Sequence, residues 1–443
     1  MSTDTGLVSR RPASGAAGRD QRALLTAGLV VAAAAAALYL AAVATHPWAA
    51  MLKGFDLSVY RMGGVLARNN AAALYTWHLP GEPGIQFTYT PFAALVFAAI
   101  SGVPFHTLMG VAAAVSVFAL VATVWIAFRE LGWRGTARMG ATLLVAGIAL
   151  WLEPVQRTLF LGQIELMLMG LIVWDLCQPD RRWWKGAATG IAAGIKLVPL
   201  IFIAYLVLTR RFRQAAVAAG AFVATVVTGF AVLPHASAQW WLHGSFLQAG
   251  RTGFVGDQAN QSLRGILTRL AGTVGTGQAL WWAAAIVVGV LGLAAAVLLH
   301  RAGRTFAGLM ACALTALLIS PISWDHHWVW IAPGLAVLAD AAVRAGRGAR
   351  ARAGWLAVAA AVAVLYAAWP HFWSRRAGLL QGGLIGYAPA TSFGHGDNPR
   401  YLEYHWHGLQ LIAGNLYLLA GAALFAIVLV TAARVRGVTP PKD

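Results

Sequence analysis

Beyond a polar, Ser-, Gly- and Arg-rich opening, the chain alternates long apolar runs with short polar links. Apolar runs cover residues 23–45, 88–102, 107–129, 139–152, 161–176, 186–209, 213–233, 279–300, 304–319, 326–340, 353–369 and 409–433. Crossing a hydrocarbon core takes about 20 apolar residues in a helix, because lipid offers the backbone no hydrogen-bond partner. The pattern therefore predicts an all-α polytopic membrane protein with about 12 membrane segments. Residues 1–22 lack apolar periodicity and predict a disordered cytoplasmic tail, 434–443 a second tail, and 23–433 a single transmembrane domain. The run 23–45 is too long for the apolar region of a cleaved signal peptide and ends at His46-Pro47-Trp48 without a cleavage site, so it predicts the first membrane helix.

Charge orients these segments. Lys and Arg outnumber Asp and Glu by 33 to 15, a balance that in a soluble protein would suggest nucleic acid. Here the arginines fall in short clusters between apolar runs, at Arg129/Arg134/Arg138, Arg181/Arg182/Lys185, Arg210/Arg211/Arg213, Arg301/Arg304 and Arg344 to Arg352. Such clusters read as cytoplasmic topology signals and contacts to anionic membrane lipids, with no nucleic-acid partner. If every run crossed once, two clusters would fall on the wrong side. The conflict disappears if 88–102 lies along the outer surface as a juxtamembrane helix, with Pro91 in its first turn, and if 186–209 enters and returns as two half-helices. The break would fall at Gly194-Ile195-Lys196-Leu197-Val198-Pro199, where proline removes a backbone donor. Both termini are then cytoplasmic, and connections 46–106, 153–163, 234–278, 320–327 and 370–408 share the outer face of the plasma membrane.

Candidate chemistry collects in those outer connections. Ser320 to Trp328 carries Asp325, His326 and His327 between two apolar runs; ionisable groups there are costly and mark a site, whereas the Trp and His rings alone would make an interfacial belt. Asp56, in Gly54-Phe55-Asp56-Leu57, is a lone carboxylate among apolar residues, suited to general-base work or to pairing with Lys53 or Arg61 or capping a helix. Lys196 needs a polar partner at depth unless it snorkels to an interface. Gln163 and Glu165 stand at a helix entry, and Arg264, beside Asn260 and Gln261, could clamp a phosphate. Asn260-Gln261-Ser262 is also a formal glycosylation sequon, a weak match. His326 and His327, being adjacent, should point to different faces of a helix, so no metal site is expected. Cys177 and Cys312 form no disulfide or zinc pattern, and no nucleotide-binding loop, zincin motif or nucleophile elbow is present. The outer connection 370–408 is rich in aromatic and His residues, such as His371, Trp373 and His395, that could cover a cavity.

The blocks Phe55-Asp56-Leu57-Ser58-Val59-Tyr60, Phe87-Thr88-Tyr89-Thr90-Pro91-Phe92, Gly162-Gln163-Ile164, Gly194 to Pro199, Asn260 to Gly265 and Ser320 to His327 succeed one another in order. Together they resemble the polyprenol-phosphate-mannose-dependent α-1,2-mannosyltransferases of glycosyltransferase family 87. The resemblance implies a GT-C type helical bundle and a polyprenyl-phosphate-mannose donor. The implied acceptor is a phosphatidylinositol mannoside, or in lipomannan-branching relatives a lipomannan; apart from the resemblance, no cofactor is expected, and the enzyme is expected to be a monomer. The resemblance also implies Asp56 as the catalytic base; the departing phosphate then needs positive charge or hydrogen-bond donors, for which the Asp325-His326-His327 cluster comes first, with Lys196 and Arg264 behind it. Tyr60, Arg61, Tyr89, Gln163, Asn260 and Gln261 are then candidate positioning groups, although Tyr89 also suits an interfacial belt. A glycolipid transporter is the competing class; it would show inverted repeats and polar groups lining both sides, and neither is seen.

Overall fold

The structure is a computed structural model and describes residues 14–45, 52–80, 82–346, 348–368 and 401–435. It is built of helices: α1 Ser14–Thr45, α2 Phe55–Asn69, α3 Pro91–Ala98, α4 Phe105–Glu130, α5 Gly135–Leu150, α6 Glu153–Leu161, α7 Glu165–Leu176, α8 Ala187–Ile195, α9 Leu200–Leu208 and α10 Phe212–Val232. These are followed by α11 Pro234–Ser237, α12 Leu263–Ala271, α13 Val274–Arg301, α14 Thr305–Ile319, α15 Ile331–Arg344, α16 Ala349–Ala368, α17 Leu409–Gly414 and α18 Leu416–Val435. A small antiparallel hairpin, β1 His78–Leu79 with β2 Glu82–Gln86, interrupts the link between α2 and α3.

Among the described residues, six helices are long and apolar enough to cross a membrane, namely α1, α4, α10, α13, α16 and α18. The pair α5 and α6, bent by 66°, could supply a seventh. This is a polytopic membrane architecture, with fewer full-length spans than the apolar runs alone suggest. The difference is physical: several runs are divided by Pro or Gly into pieces of 8 to 16 residues, each too short to cross at 1.5 Å per residue. Helix α3, eight residues long, is one of these. Its N-terminus is capped by Thr90, whose hydroxyl accepts from the Ala93 N–H at 3.1 Å and also donates to the Gly194 carbonyl.

The segment 186–209 splits into α8 and α9 at Lys196 to Pro199. Asp180 pairs with Lys185 at 2.8 Å and with Arg211 at 2.5 Å, so the two ends of the segment lie together and Lys196 stands at its turn. Helices α1 and α5 approach so closely that a Cβ on Gly140 would lie 2.7 Å from the Leu25 nitrogen; small residues let membrane helices gain packing contacts that lipid cannot supply.

Two boundaries depart from the sequence expectation. Residues 14–22 are helical, continuous with α1, rather than part of a disordered tail. Once the apolar run has formed a helix, extending it costs no new nucleation, and Ala16, Ala17, Arg19, Gln21 and Arg22 propagate it well. Residues 153–161, expected in a polar outer link, form the buried helix α6, started by Pro154 in its first turn and stopped by Gly162 in a left-handed conformation. The aromatic and His-rich positions His371, Trp373 and His395 lie outside the described residues.

Candidate active site

Asp56 lies in the first turn of α2, after Gly54 at φ 66°. The Gly54 N–H donates to the Phe160 carbonyl at 2.8 Å, which ties the start of α2 to the end of α6. Just beyond that end, Gly162 at φ 68° turns the chain so that Gln163 follows, and a Cβ on Gly162 would lie 2.7 Å from Leu57 Cβ. The result is that Gln163 Nε2 donates to Asp56 Oδ2 at 2.8 Å. Gln163 Oε1 in turn accepts from the Tyr60 hydroxyl, and from the Tyr89 hydroxyl at 3.3 Å, while the two hydroxyls lie 2.7 Å apart. A carboxylate only accepts, so it requires the amide nitrogen on its side and leaves the amide oxygen for the tyrosines. Lys53 stacks over Phe55 and Arg61 Nε donates to the Ser101 carbonyl at 3.0 Å, so neither pairs with Asp56.

Asp56 is half-buried, and burial pushes its pKa above the ordinary carboxylate value. His326, the hydrogen bond from Gln163, Arg157 and Lys196 pull it back part of the way. A carboxylate held in this balance is suited to general-base chemistry.

Beside it stand two ionic groups. Lys196 Nζ pairs with Glu165 Oε1 and lies 3.0 Å from His327 Nε2. Lysine only donates, so that imidazole nitrogen accepts and His327 is neutral. His327 Nε2 is also 3.4 Å from Glu165, a contact that would favour the charged ring, but burial and the lysine push its pKa well below the usual value. In the second group, Asp325 Oδ1 accepts from the His326 backbone N–H at 2.7 Å and lies 3.1 Å from His326 Nδ1. Arg157 Nε stands 3.7 Å from Asp325 Oδ2. With Nδ1–H directed at the carboxylate, His326 Nε2 is left buried and without a hydrogen-bond partner among the described residues.

Both histidines sit in a 3-10 turn over Asp325–Trp330, and their rings meet edge to face at 4.7 Å. This corrects the expectation that adjacent histidines must diverge; the tight turn precedes α15 and does not share its spacing. Ligand atoms of Glu165, His326 and His327 lie within 4.8 Å of one another, so these three could hold a metal ion. Lys196 already supplies positive charge to two of them.

The structure thus brings together Asp56, Tyr60, Tyr89, Gln163, Lys196, Asp325, His326 and His327. It does not bring Arg61, Asn260, Gln261 or Arg264 into side-chain hydrogen bonds with any of these three groups. The Asn260 amide donates to the Val255 and Pro321 carbonyls and its oxygen accepts from Ser323 N–H. Gln261 donates to the Gln258 and Gly414 carbonyls and accepts from the Tyr417 N–H. Both amides fasten the 254–262 loop to neighbouring main chain, and Asn260 is wholly buried, which also removes the sequon from access. Arg264 donates to Gln278 at 2.9 Å and stacks on Trp281. Sequence reading passed over Arg157 and the partnership of Glu165 with Lys196. It also missed Arg269, which is fully buried and donates to the Gly256, Asp257 and Asn260 carbonyls. The available signal was cost: an acid at an apolar helix entry and a lysine in an apolar hairpin each need a counter-charge.

A half-buried carboxylate beside paired Lys, Glu and His groups, in a bundle of apolar helices, is suited to acid–base transfer chemistry. The chain belongs to glycosyltransferase family 87, whose model matches residues 87–321. A polyprenol-phosphate-mannose-dependent alpha-(1-2)-phosphatidylinositol pentamannoside mannosyltransferase of Mycobacterium tuberculosis (strain CDC 1551 / Oshkosh) is 37% identical over 309 residues, 68% of this chain and 70% of the relative. The protein of the same description from Mycolicibacterium smegmatis is 34% identical over 68% of this chain and 74% of its own length. A polyprenol-phosphate-mannose-dependent alpha-(1-2)-phosphatidylinositol mannoside mannosyltransferase of Mycobacterium tuberculosis (strain ATCC 25618 / H37Rv) is 32% identical over 64% of this chain and 69% of its own length. No solved structure gives a significant match.

Proposed function

We propose that this chain transfers mannose from a polyprenyl-phosphate mannose to the 2-hydroxyl of a mannose on a phosphatidylinositol mannoside, giving an α-1,2 linkage. The names of the relatives support the substrate classes, and family membership supports glycosyl transfer. The fold assigned is the GT-C type, its outer elements counted within about 12 membrane segments, with the site at the outer face of the plasma membrane.

The observation that carries the mechanism is the Asp56 carboxylate held by Gln163 and within the electrostatic reach of His326, whose Nε2 is buried and without a hydrogen-bond partner among the described residues. Asp56 takes the proton of the acceptor 2-hydroxyl as that oxygen attacks the anomeric carbon. The bond from that carbon to the phosphate oxygen breaks, and polyprenyl phosphate departs with the electron pair. A β-linked donor and an α-linked product require one inversion, for which a single base is enough. Lys196 and His326 stand on the side of the leaving phosphate, where preorganised donors and positive charge lower the barrier most, and neutral His327 holds the Lys196 ammonium in place there. Gln163, with Tyr60 and Tyr89 behind it, is a positioning residue: it holds the carboxylate rotamer and favours its charged form.

The test is mannosyl transfer by Asp56→Asn in reconstituted membranes supplied with polyprenyl-phosphate mannose and a phosphatidylinositol mannoside panel. Activity should fall by at least about a hundredfold, in line with loss of a general base. Turnover near the unsubstituted level, by a protein that melts no lower than the unsubstituted chain, would remove Asp56 from the mechanism.

A further inference from the structure

A cavity of about 490 Å³ lies away from the chemistry. It runs between α14, α15 and α18, walled by Met310, Leu314, Leu317, Gly334, Leu338 and Val428. Thr305 and Leu317 both line it, which gives a length of about 18 Å at 1.5 Å per residue. Its inner limit is Trp328 and Trp330, directly after the His326-His327 pair. At the opposite end of α14 its lining includes Asp340 and the exposed Arg304, Arg344 and Glu130, which sets its mouth there.

The charges at the mouth are not balanced. Asp340 is occupied: it accepts from Arg344 Nε at 2.5 Å and from Trp133 Nε1 at 2.9 Å. Glu130 pairs with Arg129 at 2.9 Å. Arg344 is 65% exposed at its side chain, and Arg304 is exposed and has no side-chain partner among the described residues. Net positive charge therefore faces outward over an apolar shaft. Close-packed interiors do not keep empty apolar voids of this size, and the mouth opens at the basic end that the positive-inside rule assigns to the cytoplasmic leaflet. Anionic lipids are concentrated in that leaflet.

We infer that this cavity is a binding site for one anionic phospholipid of the inner leaflet. Its phosphate lies at Arg304 and Arg344, and one acyl chain lies along α14 toward Trp328. None of Asp56, Gln163, Glu165, Lys196, Asp325, His326 and His327 lines the cavity. The occupant is committed to by the pairing of an unneutralised guanidinium with an apolar shaft: a zwitterionic lipid would bring a further cation to a mouth that is already net positive, and a free phosphate would leave the shaft empty.

The full chain, delipidated in detergent, is titrated with dioleoylphosphatidylglycerol and read by native mass spectrometry. One saturable adduct should appear, with dioleoylphosphatidylcholine, whose choline adds a cation at a mouth already net positive, and inorganic phosphate, which leaves the shaft unfilled, each binding at least about tenfold more weakly. Leu314→Trp, which fills the shaft, should abolish the adduct. Should that variant not fold, Arg304→Glu, on an exposed side chain, should weaken it by about tenfold or more through loss of a charge-assisted contact. Equal binding of phosphatidylcholine, an unchanged adduct in a folded Leu314→Trp, or one-for-one displacement by polyprenyl phosphate would each overturn the assignment. The last outcome would give the cavity to the tail of the donor.

Discussion

Replacing Gln163 with Met keeps most of the side-chain volume and removes one donor and one acceptor. The donor is the 2.8 Å contact to Asp56 Oδ2, a hydrogen bond to a charged group. Such bonds are worth about 1.5–3 kcal/mol, which at 1.36 kcal/mol per decade is about ten- to a hundredfold in the ionisation equilibrium of the carboxyl. Burial already raises the Asp56 pKa, and Gln163 is one of the groups that lower it. Its loss therefore moves the pKa further upward, and the base is less often ionised at a given pH. On the acid limb of the profile, Gln163→Met should lower kcat/KM for mannosyl transfer by about ten- to a hundredfold, and the limb should move to higher pH. At pH above the new limb, much of the rate should return. The assay is transfer from polyprenyl-phosphate mannose in reconstituted membranes, followed across pH, with melting measured in parallel. An acid limb in the same place as in the unsubstituted chain, in a folded variant, would refute the link between Gln163 and the ionisation of Asp56.

Other substitutions separate chemistry from fastening. The Asp56 pKa is raised in the folded chain, so its contribution to stability is fully present below the unfolded pKa and is lost as pH rises through the folded one. Asp56→Asn should accordingly melt higher than the unsubstituted chain at neutral pH, and no higher below the ordinary carboxylate range. Lys196→Met leaves Glu165 without its counter-charge and should destabilise by about 3–5 kcal/mol in denaturation; adding Glu165→Gln should restore folding but not transfer. Asn260→Ala should lower the melting temperature, at about 1 kcal/mol per lost hydrogen bond, and leave KM for donor and acceptor unchanged in the folded fraction. Arg269→Met strands buried main-chain carbonyls and should cost about 3 kcal/mol, read as a loss of yield and of thermal stability.

By itself the sequence determined the membrane class, the position of most helices and the break at Lys196 to Pro199. Each follows from a local cause: an apolar run long enough for lipid, a proline without a donor, a basic cluster that resists translocation. It also marked Asp56 and the Asp325-His326-His327 stretch, because ionisable groups beside apolar runs are costly wherever the chain goes. What only the tertiary structure decided is which polar groups spend their hydrogen bonds on each other and which hold main chain. Tyr60 and Gln163 are 103 residues apart, and Lys196 and His327 are 131 apart, so no local pattern encodes their meeting. Asn260 and Gln163 look equivalent as residues at polar links, yet one amide is consumed by carbonyls and the other supports a carboxylate. A side chain's donors and acceptors are short-ranged and directional, so their use is set by the few atoms within about 3 Å, and those are supplied by packing of distant segments.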